Sequence, residues 1–208
     1  MLVEEVLVLQ VAHLVQASEE GQDRVEILRL EDATILLVAD GSGGMSGGAQ
    51  AAERALQEVL QGARHRKLSE RASWPAMLAK ADDARSRGPG QCAIVAAAII
   101  GERIYGASVG DCEAWLITEN SIEELTASQV RKPLLGSGEA VPVAFDAVLG
   151  AATLLLATDG LLKYARRDRI AAVALGPDLQ MAAHALADLP RLRSGALPDD
   201  VGLTLCRR

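Results

Sequence analysis

Aromatic side chains are nearly missing from this chain. Phe, Trp and Tyr together make up 2% of its 208 residues. Rings on which single-stranded nucleic acid could stack are therefore too few, and the core has to be built from Ala, Val, Leu and Ile. Positive charge is in deficit as well: 21 Lys and Arg stand against 28 Asp and Glu, a net charge of -7 with a pI near 5.0. Nucleic-acid binding needs cations that neutralise phosphates, so no nucleic-acid partner is expected. Cysteine is scarce, and Cys92, Cys112 and Cys206 lie far apart with no C-x-x-C pair. That excludes a zinc knuckle and a dithiol redox motif. An odd number of cysteines in apolar stretches fits small buried hydrophobes in a reducing compartment. Long apolar runs are absent too. The longest, Cys92 to Ile100, falls far short of the ~20 residues of a membrane span. Glu4 and Glu5 stand where a signal peptide would carry bases. The expectation is a cytoplasmic protein with no membrane partner.

Half of the residues are hydrophobic and 24% are charged, enough to bury the core of one domain spanning 1–208. Residues 3–15 are rich in β-formers, 24–30 alternate in part, and 33–39 (ATILLVA) form a continuous apolar run stopping at Asp40-Gly41. The glycine-rich GSGGMSGG follows, then AQAAERALQEVL, whose Ala52, Leu56, Val59 and Leu60 share one helical face. A second helix is expected over about 73–87, with Ser73 as N-cap and Pro75 in its first turn. QCAIVAAAII, Gly101-Glu102 and RIYGASV read as a β-hairpin. Gly110-Asp111-Cys112 turns into the strand EAWLIT. Residues 121–152 read as loop with short strands, 153–157 as a buried strand, 160–175 and 178–189 as helices, and 200–206 as a last strand. Strands and helices come in groups rather than in alternation, the mark of an α+β protein with antiparallel sheets.

Asp40, Asp111, Asp159 and Asp199 each sit at the edge of an expected strand, and three of them adjoin glycine: Asp40-Gly41, Gly110-Asp111 and Asp159-Gly160. Strand ends of packed sheets meet on a common rim, so the four carboxylates can converge there. Close, half-buried carboxylates repel one another unless divalent cations sit between them. Hard oxygen donors suit Mg²⁺ or Mn²⁺, and glycine lets a backbone carbonyl approach an ion. Asp-Gly is also a common turn dipeptide, so plain turns are the alternative.

VADGSGG (38–44), GQCAIVAAAI (90–99), ASVGDCEAWL (107–116), LLLATDGL (154–161) and PDDVGLTL (198–205) occur in that order. The set resembles the signature of the type 2C metal-dependent serine/threonine phosphatases (the PPM family) in a short bacterial form, over about residues 20 to 206. The resemblance implies a four-layer α-β-β-α sandwich, with two central antiparallel sheets flanked by helical pairs. It implies Asp40 bridging two Mn²⁺ or Mg²⁺ ions, the Gly41 carbonyl on one of them, and Asp159 and Asp199 on the other. Asp111 with Asp159 would hold a weaker third ion, and Asp23 would orient metal-bound water. It implies hydrolysis of phosphoserine or phosphothreonine in a protein substrate by attack of an activated water, with catalytic roles for Asp23, Asp40 and Asp159. No covalent phosphoenzyme is required, so Cys112 is no nucleophile. The Cys-Gly-Arg loop of a cysteine phosphatase and the G-x-x-x-x-G-K-[ST] phosphate loop are both absent.

Three departures qualify the resemblance. Ser42 follows Asp40-Gly41 where many members place a histidine that protonates the leaving group; His13, His65 and His184 lie in other contexts. Ser18, followed by Glu19 and Glu20, occupies the place of a phosphate-gripping arginine, and Arg24, Arg131, Lys132 and Lys163 are substitutes by charge alone. The flap region, about 119–152, is short, and its residues 131–142 (RKPLLGSGEAVP) contain a tight turn. These residues read either as a trimmed flap over an open site or as an edge hairpin. The alternative to an enzyme is a catalytically weak or silent member acting as a regulatory binding module. A narrower variant is a phosphatase for an anti-anti-sigma-type phosphoprotein. Few aromatics and no obvious exposed apolar stripe favour a monomer.

Overall fold

The computed structural model describes residues 8–19, 21–42, 47–83 and 88–208. Strand β3 (Thr34–Ser42) shows how the fold is organised. Its side chains alternate between two interiors: Ile35, Leu37 and Ala39 enter one core, Leu36 and Val38 another. A strand buried on both faces reads as an unbroken apolar run. Strand β4 (Gln91–Ile100) repeats the pattern, with Ile94, Ala96 and Ala98 on one side and Ala93, Val95, Ala97 and Ile99 on the other.

The remaining strands are β1 (Gln10–Gln16), β2 (Arg24–Arg29), β5 (Arg103–Val109), β6 (Glu113–Ile117), β7 (Ile122–Glu124), β8 (Val143–Val148), β9 (Thr153–Ala157) and β10 (Val201–Arg207). They form two five-stranded antiparallel sheets, ordered β1-β10-β9-β6-β7 and β2-β3-β4-β5-β8. Helices α1 (Gly48–Ala63) and α2 (Ser73–Asp82) cover the outer face of the second sheet, burying Leu56, Val59, Trp74 and Leu78 there. The short α3 (Asp159–Leu162), α4 (Arg167–Ala174) and α5 (Leu179–Asp188) cover the first, burying Leu161, Ile170, Ala183 and Leu186. The expected α+β sandwich of four layers is the fold observed. Among the described residues no helix is long and apolar enough to cross a membrane.

Several expected boundaries move. β3 does not stop at Asp40 but carries on through Gly41 and Ser42, paired with Cys92 and Gln91. The second helix ends at Asp82 and not near 87; residues 84–87 lie outside the described set. Ser73 is its first helical residue rather than its cap, because its N–H already donates to the Glu70 carbonyl at 2.9 Å. The expected helix 160–175 divides into α3 and α4, since Arg166 takes an extended conformation (φ -72, ψ 135) that lets α4 lie on the sheet. Residues 131–142 are not an edge hairpin: they hold no strand, and β7 and β8 on either side of them border different sheets.

Candidate metal centre

Four strand ends at one end of the sandwich carry the acids picked out in the sequence. Asp40 lies near the end of β3, opposite Ala93. Asp111 follows Gly110, whose φ of +83 makes the turn between β5 and β6. Asp159 opens α3, separated from β9 by Thr158 alone, and Asp199 is separated from β10 by Asp200 alone. All four line one cavity of about 550 Å³, together with Gly41, Ser42, Gln22, Arg131 and Lys132. The expected convergence of these four carboxylates and Gly41 is present.

Asp23, expected to orient metal-bound water, is 2% exposed and does not line the cavity, although its carboxyl lies within electrostatic reach of Asp40. Thr158 Oγ1 donates to Asp23 Oδ2 at 2.8 Å and accepts from Gly202 N–H at 3.0 Å. One hydroxyl thus ties the end of β9, the start of β10 and segment 21–23 together.

Two glycines owe their place to packing. A Cβ on Gly41 would stand 2.3 Å from the Gly48 carbonyl carbon and oxygen, so the start of α1 needs that hydrogen. A Cβ on Gly160 would stand 1.8 Å from the Asp200 carbonyl oxygen. The sequence offered carbonyl access to an ion, or a plain turn, as the reason for such glycines; close approach of backbones is a third one.

The cavity is electrostatically unfavourable as it stands. Among the described residues Asp40, Asp111 and Asp159 accept no side-chain hydrogen bond, and Asp199 accepts one, from its neighbour Asp200 N–H at 3.0 Å. Burial, and then repulsion from Asp159, Asp111, Asp199 and Asp200, push the Asp40 carboxyl up to about 7. Burial raises Asp159 too, with Asp111 and Asp199 adding and Lys163 and Arg131 opposing. Burial, then Asp40, raises Asp23 well above the ordinary range against the Thr158 hydrogen bond. A set of hard oxygens holding one another's protons is the donor chemistry of Mg²⁺ or Mn²⁺. Among the described residues no three acidic, imidazole or thiol groups close onto one point as an all-protein cage would. Ions of this class keep several waters and take only one or two carboxylates each, so an open, shared set fits them.

Asp200 was not singled out by sequence, because its neighbour Asp199 carries the same chemistry. It faces the other way. Only 4% exposed, it accepts from Ser18 N–H at 2.6 Å, Ser18 Oγ at 2.7 Å and Gln22 N–H at 2.5 Å. Burial raises its carboxyl, but these donors outweigh burial and hold it below the ordinary value. Ser18 is therefore a tie for the segment before β2. None of the histidines lines the cavity, and His13, His65 and His184 are exposed.

No family model and no curated protein matches the sequence. Solved structures do match the fold. The S. agalactiae serine/threonine phosphatase superposes with a TM-score of 0.82 at 18% identity, covering 96% of this chain and 99% of that one. PppA, a regulatory component of T6SS in Pseudomonas aeruginosa, gives 0.78 at 18% identity, covering 96% and 97%. The catalytic domain of the serine/threonine protein phosphatase PstP, solved with two manganese ions, gives 0.75 at 18%, covering 96% and 98%. The chain has the fold of these phosphatases. At such identity the likeness is one of backbone, and chemistry has to be argued from the side chains.

Proposed function

We propose that this chain is a metal-dependent protein phosphatase that hydrolyses phosphoserine or phosphothreonine. The observation that carries the reading is the cavity in which Asp40, Asp111, Asp159 and Asp199 meet, short of hydrogen-bond donors, with Asp40 pushed up to about 7. The fold shared with PstP, which binds two manganese ions, adds weight. Asp40, in the same cavity as the other three, would be shared between two ions. The Gly41 carbonyl would ligate one of them, Asp159 and Asp199 would hold the other, and Asp111 with Asp159 would offer a weaker third place. Divalent cations bound there offset the acidic charge, lower the pKa of water and polarise phosphoryl oxygens. Asp23, through Thr158, keeps the β9 and β10 ends in register behind them. We read the chain as a single phosphatase domain with a shortened flap, acting on a phosphorylated protein.

One observation favours a second reading. No histidine lines the cavity, and the exposed Ser42 stands at its rim. A hydroxyl is a poor general acid, which suits a slow or silent regulatory module. Both readings meet one experiment: hydrolysis of a phosphothreonine peptide with Mn²⁺, with Mg²⁺ and with EDTA. The phosphatase reading expects turnover with either ion that EDTA abolishes. Metal binding without turnover supports the regulatory module, and metal-independent turnover rejects the mechanism.

A further inference from the structure

Four cations could grip a substrate phosphate in place of Ser18, and the structure separates them. Arg24 is engaged: its Nη1 donates to the Gly21 and Asp23 carbonyls at 3.0 and 2.7 Å, and its Nε lies 3.6 Å from Glu53. Lys163 lies over the Tyr164 ring, 5.0 Å from its centroid, and does not line the cavity. Arg131 and Lys132 do line it, among Asp40, Asp111, Asp159 and Asp199. Both are exposed, and among the described residues neither makes a hydrogen bond or an ion pair. Arg131 reaches Asp159 and Glu113 through its charge alone, so two cations without a hydrogen-bond partner at the rim of a carboxylate cavity are placed for a ligand that carries negative charge itself.

The loop that bears them is held from below. Gln129 Nε2 donates to the Val130 and Val141 carbonyls at 3.1 and 3.2 Å and closes its base. Leu135 and Cys92 exchange both backbone hydrogen bonds at 3.0 Å, fixing the loop to β4. Asp82, 6% exposed at the end of α2, takes three of its amides. Gly136 N–H and Gly138 N–H donate to Oδ1 at 2.6 and 3.0 Å, and Ala140 N–H donates to Oδ2 at 2.8 Å. Gly136 and Gly138 take φ of +94 and +78, which lets successive amides turn towards one carboxylate.

We propose that Arg131, with Lys132 beside it, anchors the substrate phosphate, and that Asp82 is a positioning residue for the loop carrying them. The inference rests on the phosphatase reading. The guanidinium fork matches two phosphate oxygens at once, whereas the ammonium acts as a point charge. Anchoring from the flap side frees the 17–22 segment from the role that Ser18 cannot fill.

The test compares wild type, Arg131→Ala, Arg131→Lys, Lys132→Ala and Asp82→Asn. Readouts are peptide hydrolysis with Mn²⁺, calorimetric binding of inorganic phosphate with Mn²⁺ present, and amide hydrogen exchange. Arg131→Ala is expected to weaken phosphate binding and raise KM about tenfold to a hundredfold, with Arg131→Lys recovering part. Lys132→Ala is expected to cost less. Asp82→Asn keeps Oδ1 but loses the second acceptor. It is expected to speed exchange at Gly136, Gly138 and Ala140 and to raise KM with kcat held, while exchange in the sheets is unchanged. A wild type that turns over while Arg131→Ala leaves KM and phosphate affinity unmoved overturns the anchor. Faster exchange in Asp82→Asn without a change in KM overturns the positioning role. A wild type that binds phosphate through Arg131 without turnover supports the anchor and rejects the phosphatase reading. A wild type that neither binds phosphate nor turns over overturns both.

Discussion

Two kinds of aspartate lie within this molecule, buried ones and half-buried ones, and they behave in opposite ways. Asp200 and Asp82 each gather three hydrogen bonds, mostly from backbone amides, and pin a loop. Asp40, Asp111 and Asp159 gather none among the described residues and face one another across a cavity. A carboxylate surrounded by donors has its negative charge satisfied and serves the fold. A carboxylate surrounded by carboxylates burdens the fold and is explained by a cation. The sandwich thus keeps structural and chemical acids side by side, and adjacent Asp199 and Asp200 belong to different sets.

The comparison is broken most directly by exchanging the acids one at a time. Asp40→Asn is expected to cut Mn²⁺-dependent turnover at least a hundredfold, on the order of 3 kcal/mol of barrier. Its metal-free melting temperature is expected to hold or rise, because repulsion is relieved. Calorimetry beside a kinetic assay checks both. Asp200→Ala should do the reverse to the fold, stranding the amides of Ser18 and Gln22. We expect a loss of about 2–4 kcal/mol in urea unfolding. If Asp40→Asn destabilises the metal-free chain as much as Asp200→Ala does, the division between the two sets fails.

A steric prediction comes next. Gly41→Ala drives a Cβ into the Gly48 carbonyl and is expected to cost about 2 kcal/mol, with weaker Mn²⁺ affinity because the cavity wall shifts. Unchanged urea unfolding would show that the start of α1 can yield.

The smallest expected effect is a tilt with pH. Asp40 holds its proton in the fold up to about 7, against an ordinary value of 3.8 in the unfolded chain. Its contribution is complete below the unfolded value and is lost as pH rises through 7. Asp200 is shifted downwards, so its contribution is present above 3.8 and is lost as pH falls. The metal-free chain is expected to lose a few degrees of melting temperature between pH 5 and 8. Mn²⁺ should restore them at pH 8 and much less at pH 5. Asp40→Asn should flatten that slope while leaving the acid limb to Asp200.

Much of the sandwich was legible because its strands follow simple patterns. The hairpin at Gly101-Glu102 and the doubly buried runs of β3, β4 and β9 announce themselves by composition and length. Boundaries set by tertiary contacts were not. Nothing in KADDARS says that Asp82 ends its helix with a carboxylate committed to a loop more than fifty residues away. The break between α3 and α4 comes from the extended backbone at Arg166, which local propensity does not encode. In the site, the acids flanked by glycine were readable as strand-end residues. Which of Asp199 and Asp200 lines the cavity, which cations line it, and that Asp23 is buried outside its lining all depend on chain segments far apart in sequence.

The central claim is that the four acids exist to hold divalent cations, and anomalous scattering from a crystal soaked in Mn²⁺ tests it most directly. The account predicts strong manganese peaks between Asp40 and the Asp159–Asp199 side of the cavity, with a weaker one near Asp111. Soaking at millimolar Mn²⁺ with no peak in that cavity, or with ions bound only elsewhere, would contradict it.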